Sequence, residues 1–122
     1  MTVAERPPEK GVAPFSIRGA LVLAGFAGIC LSMAMGIALL LWPAAVPGLA
    51  RLAHAHLAFA GGVVPMIAGA MLYFLPTLLR VPFREDWTIA LIAVLLIGAP
   101  IAMTLALLVG SVPLMGLGGV LI

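Results

Sequence analysis

LAHAHLAFAGGVVPMIAGAMLYFLPTLLR, residues 52–80, is an uncharged run of membrane length that ends in Arg80 and opens with the only two histidines, His54 and His56. A crossing of the ~30 Å hydrocarbon core takes about 20 apolar residues, and as a helix the residues between Arg51 and Arg80 reach ~42 Å. Ionisable groups are rare in lipid, so two histidines at the head of such a run mark a candidate functional site.

The same pattern repeats on either side. All ten charges fall into three groups: Glu5, Arg6, Glu9, Lys10 and Arg18; Arg51 alone; and Arg80, Arg84, Glu85 and Asp86. The intervals between them predict helices over about 19–42, 52–79 and 87–110. Residues 114–122 are too few to span, reaching only ~13 Å, and read as a partial fourth helix that is re-entrant, interfacial or cut short. Residues 1–17, with Pro7, Pro8 and Pro14 among charges, read as an extended cytoplasmic tail before a transmembrane domain over 18–122. Nothing alternates as barrel strands do. With 65% hydrophobic residues, 8% charged and a mean hydropathy of +1.32, the fold class is all-α integral membrane.

Basic residues set the orientation. Arg6, Lys10, Arg18, Arg80 and Arg84 fall on one side and Arg51 on the other, which puts the N-terminus in the cytoplasm, as in a bacterial inner membrane, and both histidines near the outer face. The first span is too long for a signal peptide. Trp42 then lies toward the outer interface, Tyr73 and Trp87 toward the inner one. A net charge of +2 reflects this topology and implies no nucleic-acid partner.

Several chemistries find no motif: there is no phosphate loop, no Cys-x-x-Cys, no His-Glu-x-x-His and no intramembrane carboxylate pair. Cys30 reads as a small apolar residue, and Glu85 and Asp86 as a solvated acidic start to the third helix. Three spans without inverted repeats disfavour a transporter.

Helical spacing puts His54 on one stripe with Ala58, Gly61, Gly62, Pro65, Gly69, Leu72 and Pro76, most of them small. His56 lies about 200° round, over Ala60, Val63, Val64, Ile67 and Met71, so the two rings do not share a face. A groove of small side chains below a histidine suits a haem standing edge-on, with a neutral imidazole as axial ligand. It equally suits close helix packing through small residues. Pro65 is expected to bend the helix, either shaping a pocket or fitting it to its neighbours.

The stretch from His54 to Pro76 resembles the second transmembrane helix of haem-copper oxidase subunit I, and also that of nitric oxide reductase large subunits and the NnrS family of haem- and copper-containing membrane proteins. The shared features are a histidine at the outer end, mid-helix glycines and an aromatic segment ending in proline; His54, Gly69 and Pro76 match in spacing and Pro65 echoes the oxidase proline. The resemblance implies oxidase-like helical hairpins, with b-type haem ligated by His54 for electron transfer, Gly61, Gly62 and Gly69 against the cofactor, and His56 in support or binding copper. The oxidase fold has about twelve helices and further histidines, and this chain has no third histidine, so it is not expected to be a complete enzyme. A second axial ligand would come from a symmetry mate, a partner subunit or a methionine such as Met33, Met35, Met66 or Met103. The alternative function is a non-catalytic accessory subunit of a larger respiratory or photosynthetic complex, docking in the bilayer on other subunits or on its own copies.

Overall fold

A computed structural model describes residues 16–44 and 48–121, so the expected cytoplasmic tail lies, but for its last two residues, outside the described residues. All the regular structure within them is helical: α1 (Ile17–Leu41), α2 (Ala50–His56), a π-helical segment (Leu57–Val63), α3 (Val64–Leu79), α4 (Trp87–Val109) and α5 (Val112–Leu121). Three helices are long and apolar enough to cross a membrane: Ile17–Leu41, the continuous Ala50–Leu79 and Trp87–Val109. These match the expected spans to within two residues at each end. α5 has 10 residues, too short to cross, and packs on α4 alone.

Local chemistry sets each helix end. Ser16 Oγ accepts the Gly19 N–H at 3.1 Å and starts α1, and Pro43 stops it, because the residue before a proline is pushed out of the helical region. α3 closes with Arg80 in the left-handed conformation at φ 56°, while the Val81 N–H bonds the Pro76 carbonyl at 3.0 Å. Gly110, at φ 71°, closes α4 in the same way, with the Ser111 N–H on the Ala106 carbonyl.

The acidic pair divides its work. Asp86 caps α4, its Oδ1 accepting the Ile89 N–H at 2.9 Å, as an acidic start to that helix should. Glu85, expected beside it, reaches instead to α1, where its Oε1 accepts the Ile17 N–H at 3.2 Å and ties the α3–α4 loop to the first helix. Replacing Asp86 with alanine is expected to cost about 1 kcal/mol, and with asparagine much less. Unfolding in a graded dodecyl sulfate series, followed by circular dichroism, checks the ranking.

Pro65 produces a π-helical segment. Lacking an N–H, it cannot bond the carbonyl four residues back, and the chain widens its turn so that the Val64 N–H meets the Phe59 carbonyl, five residues back. Gly61 and Gly62 lie inside this segment, where their low helical propensity makes the departure inexpensive.

α1 packs chiefly on the π-helical segment and α3, and α4 on α2 and the π-helical segment. The core is narrow and made of small groups: Ala50, Ala53, Ala99 and Ala106 are buried with Leu21, Leu57 and Leu107. Large apolar side chains point outward, Leu40 being 80% exposed and Leu78 79%. That distribution suits lipid or neighbouring helices as solvent, where association depends on close backbone approach.

Candidate functional site

α1 meets the second long helix along Leu21, Gly25, Gly28 and Ser32, all buried. Their spacing of four, three and four residues keeps one side of α1 thin. A β-carbon at Gly28 would collide with the Gly61 carbonyl, and one at Gly25 would lie 2.6 Å from the Gly62 carbonyl oxygen. Farther along, a β-carbon at Gly69 would lie 2.9 Å from the Arg18 carbonyl oxygen. Gly61, Gly62 and Gly69 therefore lie beneath α1, backbone against backbone. Of the two readings of the small-residue stripe, close helix packing describes this face.

This approach brings a polar pair together. His54 projects toward α1, where its Nδ1 lies 2.8 Å from the Ser32 carbonyl oxygen and 2.9 Å from Ser32 Oγ. Ser32 Oγ in turn donates to the His54 carbonyl at 3.0 Å. A carbonyl only accepts, so Nδ1 carries a hydrogen and donates it to Ser32. Ser32 is 2% exposed and His54 half-buried, so this network sits between helices. Gly36 makes room for the ring: a β-carbon there would meet His54 Cε1 at 3.0 Å.

Ser32 is nine residues before the end of α1 at Leu41, or ~14 Å of helical rise, and the ring is level with it.

His56 takes no part in this network. Its Nε2 is buried and has no hydrogen-bond partner among the described residues, as is also true of Thr104 Oγ1 on α4. The two histidines are not brought together on one ligand, and the described residues contain no cluster of three or more His, Cys, Asp or Glu side chains placed to hold a metal ion. Of the methionines, Met35 faces a gap between α1 and α4 beside Leu57 and Thr104, Met66 packs against Gly25, and Met33 is 62% exposed. Cys30 is exposed on α1.

Ser32 and Gly36, which surround the His54 ring, were not singled out from the sequence. Their signal was present: Ser32 is the one hydroxyl residue in the interior of α1, on the same stripe as Gly25 and Gly28. The site offers one imidazole, held from behind by a main-chain carbonyl, the arrangement that orients metal-binding histidines. Compared with known proteins, the chain matches no family model, no curated protein and no solved structure.

Proposed function

We propose that this chain is a haem-binding membrane module of the haem-copper oxidase subunit I type, in which His54 Nε2 is an axial ligand of b-type haem for electron transfer. The observation that supports this reading is the hydrogen bond from His54 Nδ1–H to the Ser32 carbonyl. It orients the ring and points Nε2 away from the carbonyl that holds Nδ1. Bound there, haem supplies one-electron redox chemistry at a potential set by its axial ligands.

The chain's own contribution is positional. Ser32 holds the proton at Nδ1, Gly36 sets how closely the ring approaches α1, and Gly25, Gly28, Gly61 and Gly62 draw the helices near enough for Ser32 to reach. The glycines thus serve the site by packing rather than by touching the macrocycle. One imidazole is a single ligand, so a second would come from another subunit, another copy of this chain or a methionine such as Met33, Met35, Met66 or Met103. His56 is assigned a supporting role or copper binding.

A second reading, a structural subunit of a larger membrane complex, is favoured by a different observation. Large apolar side chains cover the outside of all three long helices, among them Leu40, Phe74 and Trp87. Such faces are what docking between helices in lipid uses.

Spectra decide between them. The full chain, purified in mild detergent with haem supplied, is expected to show a reduced α-band that His54→Ala abolishes and His56→Ala leaves in place. Folded helical protein with no haem band in the wild type would defeat the haem reading for the isolated chain and leave the structural one. A band unaffected by His54→Ala would remove His54 as the ligand.

A further inference from the structure

α1 and α3 enclose a second feature, far from His54 and unrelated to it. A groove of about 680 Å3 runs between them, polar at one end and apolar along the rest. Ser16, Arg18 and Tyr73 form the polar end, and Val22, Phe26 and Met66 line the continuation toward the middle of the bundle. From Arg18 to Phe26 the helix rises ~12 Å, close to the ~15 Å of one leaflet's hydrocarbon.

The cation at the mouth is held in place by rings. The Arg18 guanidinium carbon lies 4.7 Å from the Phe83 ring centroid and 5.9 Å from that of Tyr73. Attraction to ring faces does not consume the guanidinium's N–H donors, which suit the oxygens of a phosphate. Arg80 and Arg84 lie at the same end of the bundle, in the connection between α3 and α4. The two carboxylates there already accept main-chain N–H groups, Glu85 from Ile17 and Asp86 from Ile89. A fixed cation at the edge of the apolar layer, continued by an open apolar channel one leaflet deep, is complementary to an amphiphile with an anionic head and a hydrocarbon tail.

We propose that this groove is a binding site for an anionic phospholipid, with the phosphate on Arg18 beside the Tyr73 hydroxyl and one acyl chain along Val22, Phe26 and Met66. Binding of this kind would anchor α1 to α3 at the end opposite the histidines.

The test is retention of lipid by the full chain in native mass spectrometry, using dioleoyl phosphatidylglycerol, dioleoyl phosphatidylcholine and, as a phosphate without chains, glycerol 3-phosphate. The wild type is expected to prefer phosphatidylglycerol over phosphatidylcholine by about fivefold, the worth of one basic group near an anionic surface. Arg18→Gln should remove that preference, Arg18→Lys should keep part of it, and Arg51→Gln at the other end should leave it intact. Equal retention of the two lipids by the wild type, or a preference that survives Arg18→Gln, overturns the proposal. Displacement of phosphatidylglycerol by glycerol 3-phosphate would overturn the lipid assignment. If Arg18→Gln does not fold, Leu23→Trp decides: it fills the groove from an exposed position and should reduce retention of both lipids, and unchanged retention counts against the site.

Discussion

Gly28→Ala should separate α1 from the second long helix and cost about 3 kcal/mol, the upper end of what overpacking usually costs. Most small-to-large changes are softened by a side chain that swings away. Here the obstruction is the Gly61 carbonyl, part of the backbone, so relief requires the helices themselves to move apart. Gly61 has little freedom to retreat, because its own α-carbon faces Pro100 of α4, whose Cβ would lie 3.6 Å from a β-carbon at that position. The added methyl therefore disturbs the junction of all three long helices. Gly98→Ala is the matching control: a β-carbon there meets nothing within 4 Å, and alanine is favoured over glycine in a helix by up to ~1 kcal/mol. Opposite signs for the two substitutions in dodecyl sulfate unfolding are expected. A neutral Gly28→Ala would show that α1 does not pack through its glycine stripe.

His54→Ala should cost about 2 kcal/mol even with no haem present, because it removes both the ring packed on Gly36 and the donor to the Ser32 carbonyl. The hydrogen-bonded part can be isolated. In a cycle of His54→Ala, Ser32→Ala and the double variant, the coupling is expected between ~0.6 kcal/mol, the average for hydrogen bonds between membrane helices, and ~1.7 kcal/mol, near the largest seen. Ser32→Ala alone should cost less than His54→Ala, since the main-chain carbonyl at position 32 still accepts Nδ1–H. Strict additivity would mean that Ser32 Oγ does nothing to hold the imidazole, leaving the main-chain carbonyl as its partner on α1.

The fold was legible wherever charge marked a boundary. Arg18, Arg51, Arg80 and the Arg84–Asp86 cluster bracket three apolar intervals, and lipid leaves such intervals few structures but the helix. Asp86 was readable as an acidic helix start for a local reason, since its bond spans three residues. Glu85 was not, because its partner Ile17 is 68 positions away and no local pattern points to it. The site divides in the same manner. His54 stood out as a rare residue in an apolar run, and the stripe of Gly61, Gly62 and Gly69 followed from helical spacing. Which helix covers that stripe is a tertiary fact, decided by the matching stripe on α1, and the bonds of His54 to Ser32 follow from it. The π-helical segment was half legible: Pro65 announced an interruption, but a bend and a widened turn answer the same missing hydrogen bond.

The widened turn at Leu57–Val63 also changes how the molecule can tolerate altered length. An α-helix is a fixed thread, and losing one residue rotates everything on one side of the loss by about 100° relative to the other. The π-helical segment already holds a surplus residue in that thread, placed between the histidine end of the helix and the proline that follows. Removing one residue there would let ordinary winding resume without breaking the chain of hydrogen bonds and with His54 and His56 keeping their directions, because the widened turns already take up that residue's share of rotation. The segment is thus a length buffer: it can absorb such a loss without turning the imidazoles relative to the seam that Gly69 and Leu21 make at the other end.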